Sequence, residues 1–217
     1  MTGLFPGAAG LWQSQPEELP PLAKRGTMVL GHNLDSERGF AQSVARGGES
    51  LNGATWRELI RFLDRAMPDE RARDNYFFTN FLIGLIAGAS ASSEGKFPGT
   101  ANPDFVTRCQ AFFERQIQIT RPSLLFVLGI QTPRLIAPLS PQLVHWHNAK
   151  KYADIDFQNG GFVSNATIAG NSLAIVALTH PCRSRLNVEN RRFHEHAGDD
   201  AEVELVRRAV IASKKLS

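Results

Sequence analysis

Four short apolar runs constrain the fold of this chain more than any other feature of its sequence. Each run is bounded by turn or capping residues and is too short for a core helix, which is typical of buried strands. The runs are 27–31, 75–80, 123–129 and 172–179. Helical patterns lie between and after them, at 55–66, at 104–120, after Gln131 and at 201–216. The chain therefore alternates strands with helices.

This alternation predicts an α/β fold in which right-handed crossovers join parallel strands. We expect a three-layer α/β/α arrangement with a central four-stranded parallel sheet. Residues 141–170 break the rhythm with polar and aromatic residues, and they indicate an antiparallel excursion or a long loop. In sheets of this type, ligands bind beyond the carboxyl ends of the strands.

Length and composition favour one globular domain. The chain has 217 residues, 42% hydrophobic and 21% charged, so we expect a single domain over residues 1–217. Residues 1–21 lack a basic start followed by an apolar run, and no later segment approaches the roughly 18 apolar residues that a membrane span needs. We expect a cytoplasmic monomer that does not enter a membrane.

Polar residues stand at the ends of three of the predicted strands. The first strand leads into Gly31-His32-Asn33-Leu34-Asp35, the second ends at Asn80, and the fourth leads into His180-Pro181. A glycine directly after a strand allows a sharp turn or a close approach to a ligand. Because parallel strands share one carboxyl edge, we expect these residues to line one cleft.

In this order, the three motifs resemble those of the uracil-DNA glycosylase superfamily. Gly31-His32-Asn33 is similar to the superfamily's first motif, Asn80 to its base-reading position and His180-Pro181 to its last motif. The resemblance covers about residues 26–193, and Leu34 stands where a proline is usual. An asparagine in the first motif combined with a histidine in the last is most similar to the single-strand-selective monofunctional branch.

The resemblance implies a hydrolase that flips a damaged base out of DNA and cleaves its glycosidic bond. His180 would donate to the oxyanion that develops on the leaving base, and Asn33 would hold the attacking water. Asp35 is the alternative general base. The base-binding residues would be Asn80, Phe40, Gly31 and His32. The Asn80 carboxamide both donates and accepts, which matches O4 and N3–H of uracil, and the Phe40 ring would stack on the base.

Four arginines follow the last motif closely. Arg183, Arg185, Arg191 and Arg192 come after Pro181 in a chain of pI about 9.1. They are predicted to contact DNA phosphates near the flipped nucleotide, and the alternative is a solvated start of a helix. Single-stranded or double-stranded DNA with a damaged base is the predicted partner.

No cofactor is expected. His145-x-His147 and His194-x-His196 have a spacing that occurs in metal sites, but no cysteine or carboxylate completes the first pair, so we expect no metal. Two other functions remain open. One is a non-catalytic nucleic-acid or nucleotide-binding protein on the same fold, and the other is an α/β hydrolase or transferase that acts on a small molecule.

Overall fold

The computed structural model of the protein describes residues 26–45, 54–68, 76–87, 97–181 and 187–216. The strands in these ranges are β1 (Thr27–Ser36), β2 (Tyr76–Ile86), β3 (Leu124–Leu128), β4 (Phe162–Ile168), β5 (Asn171–Leu178), β6 (Arg192–Phe193) and β7 (His196–Ala197). The helices are α1 (Glu37–Ala45), α2 (Ala54–Ala66), α3 (Pro103–Thr120), α4 (Gln131–Ile136), α5 (Tyr152–Asp156) and α6 (Gly198–Ser213). Short 3₁₀ turns join several of these elements.

The main sheet has five strands in the order β2-β1-β3-β5-β4. The pairs β1–β2, β1–β3 and β3–β5 are parallel, and β4 runs antiparallel to β5. The predicted α/β class is confirmed. The four predicted strands lie side by side and parallel as β2, β1, β3 and β5, but the sheet has five strands rather than four, because β4 adds an antiparallel strand at one edge. This strand lies in the segment for which an antiparallel excursion was predicted. The short strands β6 and β7 form a separate hairpin.

Successive side chains of β1 belong to different core clusters. Met28 and Leu30 pack with residues of α3, including Phe113, whereas Val29 packs with residues of α2 and α6. Alternation of this kind follows from the two-residue period of a strand. All five residues of β3 are buried, which explains why its sequence is continuously apolar.

Local capping sets the ends of α3. The Asn102 side chain accepts a hydrogen bond from the backbone N–H of Phe105, and Pro103 occupies the first turn, where no backbone donor is needed. The helix ends at Thr120, and Arg121, the residue that caps it, has a left-handed backbone (φ 46°). No helix in the described ranges, α3 included, has the length and apolar character that crossing a membrane requires.

Strands β1 and β2 extend beyond the rest of the sheet. The pairing of β1 with β3 ends at Leu30↔Val127, whereas its pairing with β2 continues to Ser36↔Ile86. The prediction that β1 ends at Gly31 and β2 at Asn80 is therefore wrong, since both residues lie inside strands. We call residues 31–36 of β1 and 80–86 of β2 the β1–β2 extension.

Two adjacent phenylalanines of α3 test the core packing. Phe113 is 0% exposed and its ring centroid lies 5.6 Å from that of Phe81, whereas Phe112 is 39% exposed. We expect Phe113→Ala to lower the free energy of unfolding by about 3–5 kcal/mol because it leaves a buried cavity. Phe112→Ala is the matched control and should cost less than about 1 kcal/mol. Urea unfolding measures both, and equal losses would contradict the assigned face of α3.

Candidate functional site

One row of paired residues crosses the four parallel strands and fixes the level of the candidate site. The row consists of Thr79, Leu30, Val127 and Ala177. Within three positions after this row, the same strands continue into Asn80, Gly31, Gly129 and His180. Gly31, Asn80 and His180 therefore lie at one level, just beyond the row, although Gly31 and Asn80 are within strands rather than in loops.

Gly31 and Asn80 are direct register partners. The Asn80 carboxamide lies so close to the Gly31 backbone that a Cβ atom at position 31 would collide with Asn80 Oδ1. Any residue other than glycine at position 31 would displace this carboxamide. The glycine is explained by a cross-strand contact and not by a turn.

His32 and Asn33 form a hydrogen-bonded pair at the start of the β1–β2 extension. His32 Nδ1 lies 3.0 Å from Asn33 Oδ1. Burial lowers the pKa of His32, and the hydrogen bond to Asn33 opposes this effect. The neutral imidazole therefore donates from Nδ1, because Asn33 Oδ1 can only accept. Asn33 Nδ2 is buried and has no hydrogen-bond partner among the residues that the structure describes.

The other two predicted residues of the first motif lie near the start of α1. Asp35 Oδ1 accepts a hydrogen bond from Ser36 N, and the Asp35 carboxylate packs against Gly39 in the first turn of α1. Ser36 Oγ accepts from Gly39 N, which caps the helix. Asp35 is thus engaged with the helix start. Phe40 is half-buried within α1, a helix that contacts both β1 and β2, and its stacking on a base stays a prediction.

His180 follows the end of β5 and packs beside the turn after β3. A Cβ atom built at Gly129, which has φ +81°, would lie 3.6 Å from His180 Cβ. The backbone N–H of Gly129 also donates to the Leu178 carbonyl. A side chain at position 129 would strain the backbone, since left-handed φ values favour glycine. His180 is half-buried against this turn.

The arginines predicted to bind phosphates do not share one environment. Arg191 is 0% exposed, donates to both carboxylate oxygens of Asp156 at 3.0 Å, and reaches Glu202 Oε1 at 2.7 Å. Its prediction as a phosphate contact is wrong, because a fully buried guanidinium paired with two carboxylates cannot reach DNA. Arg192 is exposed, and Arg183 and Arg185 lie outside the described residues.

Sequence reasoning missed the partners of Arg191. Glu202 is buried in α6, where it accepts from the backbone N–H and the hydroxyl of Thr179. Burial raises the pKa of Glu202, opposed by the Arg191 guanidinium and the Thr179 hydrogen bonds. The sequence contained an indication that Glu202 is buried, because it lies at helical spacing from Leu205, Val206 and Ala209. A charged residue on an apolar helix face needs a buried partner.

The histidine pairs with metal-like spacing make other contacts. His145 Nε2 lies 2.9 Å from the Gly160 carbonyl oxygen, and His196 Nε2 lies 3.5 Å from the Glu195 carboxylate. The backbone N–H of His194 donates to Asn159 Oδ1. Within the described ranges, no group of three or more His, Cys, Asp and Glu side chains could hold a metal ion.

Near the carboxyl edge the chain thus carries half-buried polar side chains of two kinds, the carboxamides of Asn33 and Asn80 and the imidazole of His180. Amides and imidazoles suit a planar polar ligand with carbonyl and N–H groups on its edge. The chain matches no protein-family model and no curated protein.

Proposed function

We propose that this protein is a DNA glycosylase that hydrolyses the N-glycosidic bond of uracil or another deaminated base after flipping it out of DNA. The observation that carries the proposal is the register row, which aligns Gly31, Asn80 and the segment before His180 at one edge of the sheet. We also propose that the chain forms one three-layer α/β/α domain. The strands contribute residues to two separate core clusters, which supports this arrangement.

Asn80 selects the base. Its carboxamide lies against the Gly31 backbone, in space that a side chain at position 31 would fill. An amide that both donates and accepts pairs with O4 and N3–H of uracil, whereas the corresponding edge of cytosine has these roles reversed. Discrimination follows because the wrong base leaves buried polar groups without partners.

His180 assists bond cleavage. As the bond between C1′ and N1 breaks, its electron pair moves onto the base and the sugar gains oxocarbenium character. A hydrogen bond from the His180 ring to base O2 stabilises this anion, water then adds to C1′, and the proton that the water loses neutralises the released base anion. The reaction releases the free base and leaves an abasic deoxyribose.

Asn33 places the attacking water. Its Nδ2 atom is buried and without a partner among the described residues. In the proposed complex this donor is uncovered and bonds a water oxygen beside the sugar. The hydrogen bond from His32 fixes the orientation of the amide. An amide is not a base, so we expect slower chemistry than a carboxylate at this position would give.

Replacing His180 tests the chemical step. We expect His180→Ala to slow uracil release by about a hundredfold or more, the usual cost of losing one oxyanion donor, while DNA binding survives. Base release from uracil, hypoxanthine and xanthine oligonucleotides, read as strand scission at the abasic site, measures the rate. His147→Ala, which changes an exposed histidine between the 3₁₀ turn Pro141–Trp146 and α5, is the control. A wild-type protein that binds these oligonucleotides but cleaves none would indicate a binding protein instead.

Replacing Asn80 tests base selection. Asn80→Asp places a negative charge opposite uracil O4, so affinity for uracil DNA relative to undamaged DNA should fall by about tenfold or more. Fluorescence anisotropy with both oligonucleotides measures the ratio. Asn165→Asp adds the same charge at an exposed position of β4 and should leave the ratio unchanged. If the two variants have the same ratio of affinities for uracil DNA and undamaged DNA, Asn80 does not contact the base.

Arg192 tests the phosphate contact. It is exposed and follows the buried Arg191 at the carboxyl side of the sheet. If Arg192 binds one phosphate, Arg192→Gln should reduce the slope of log affinity against log salt concentration by about 0.7–0.9. Arg121→Gln, on the exposed residue that precedes β3 at the opposite edge, should leave the slope as it is. If both variants keep the wild-type slope, Arg192 does not bind a phosphate.

A further inference from the structure

We infer that four buried side chains act together as positioning residues for His180, an inference that rests on the function proposed above. The four are Tyr152, Asp156, Arg191 and Glu202, and we call them the strand-end clamp. They come from α5, from the residue before β6, and from α6. None of them is assigned to the base or to the reacting atoms. They hold the end of β5, from which His180 extends.

Glu202 holds the residue directly before His180. Its Oε1 atom accepts from the backbone N–H of Thr179 at 2.7 Å, and its Oε2 atom accepts from the Thr179 hydroxyl at 2.8 Å. Charge-assisted hydrogen bonds of this kind are stronger than neutral ones. Two bonds from one carboxylate fix both the backbone and the side chain of Thr179, so this residue cannot rotate without breaking one of them.

The backbone carbonyls of the two residues before Thr179 also accept hydrogen bonds from the strand-end clamp. Arg191 Nη2 donates to the Ala177 carbonyl at 2.9 Å, and the Tyr152 hydroxyl donates to the Leu178 carbonyl at 3.2 Å. The Arg191 guanidinium also lies over the Tyr152 ring, 4.7 Å from its centroid. Three successive residues before His180 are therefore each bonded to a member of the strand-end clamp.

The guanidinium joins these contacts into one unit. Arg191 bonds Asp156 through two nitrogens and Glu202 through the third. Asp156 in turn accepts from the backbone N–H of Arg192, which ties the exposed arginine to the same unit. Arg191 is fully buried and every guanidinium nitrogen has an acceptor, so the unit influences the reaction through the position of β5 rather than by touching DNA.

Position matters because an oxyanion donor works only at the right distance. A displacement of about 1 Å at a reacting centre can cost about a hundredfold in rate. His180 extends from the strand as a residue outside any regular element. The hydrogen bonds to the three residues before it therefore fix the point of the backbone from which the His180 side chain extends.

Thr179→Val is the appropriate test, because replacing a charged member of the clamp would leave an unpaired buried charge and endanger folding. Valine keeps the shape and the backbone N–H of Thr179 and removes only the hydroxyl donor to Glu202. Thr179→Ser restores that hydroxyl. Thr120→Val is the matched control, since Thr120 is also buried and its hydroxyl donates to the Gln116 carbonyl at the far end of α3.

We expect Thr179→Val to slow single-turnover uracil release at saturating enzyme by about 10- to 100-fold, with DNA affinity within about twofold of wild type. Thr179→Ser should recover most of the rate, and Thr120→Val should match the wild type. A general loss of stability would lower binding together with rate and would not be repaired by serine. A Thr179→Val protein with the wild-type rate, or a serine variant as slow as the valine one, would overturn the inference.

A second readout does not depend on catalysis. In protein labelled with ¹⁵N-histidine, the His180 ring signal is identified by its loss in His180→Ala. We expect Thr179→Val to shift or broaden this signal and Thr120→Val to leave it in place. If the wild type cleaves no deaminated base, the proposed function fails, and an unshifted His180 signal in Thr179→Val would still overturn the positioning role by itself.

Discussion

A buried guanidinium is the interaction on which the carboxyl edge of β5 depends. Arg191 lies between Asp156 of α5 and Glu202 of α6, and it also donates to the carbonyl of Ala177 near the end of β5. One guanidinium pairs with two carboxylates. Burial of the Glu202 carboxyl group raises its pKa. Removing one member of such a group leaves a charge away from water, at a cost of about 3–5 kcal/mol. Two helices and the end of β5 are therefore held in one arrangement.

The β1–β2 extension shapes the opposite side of the same edge. Beyond Leu30, β1 has no register partner in β3 and pairs only with β2. Asn33 and Asn80 are presented from strands, whose backbone is fixed by pairing, rather than from loops. A site built on paired strands holds its polar groups in place before a ligand arrives. Near His180 the backbone is held differently, because side chains of the strand-end clamp bond to the end of β5.

The sequence predicted the elements better than their ends. The continuous apolar runs located β3 and β5 to within a residue or two because both strands are buried on both faces. Gly31 misled the prediction for β1, since glycine followed by polar residues usually indicates a turn. Its actual reason is the Asn80 carboxamide on the neighbouring strand, a contact that no local pattern contains. Arg191 was misassigned for a similar reason, because its carboxylate partners are 35 and 11 residues away.

The antiparallel strand at the edge of the sheet has a consequence for the protein at high concentration. β5 is buried from Leu173 to Leu178, and an open edge beside so apolar a strand would invite pairing with another molecule. β4 covers it, and its own register is interrupted between Val163 and Ala166. Its exposed residues Ser164, Asn165 and Thr167 are polar. A short, irregular and polar outer strand is a poor template for aggregation, so β4 keeps the apolar β5 from pairing with another molecule.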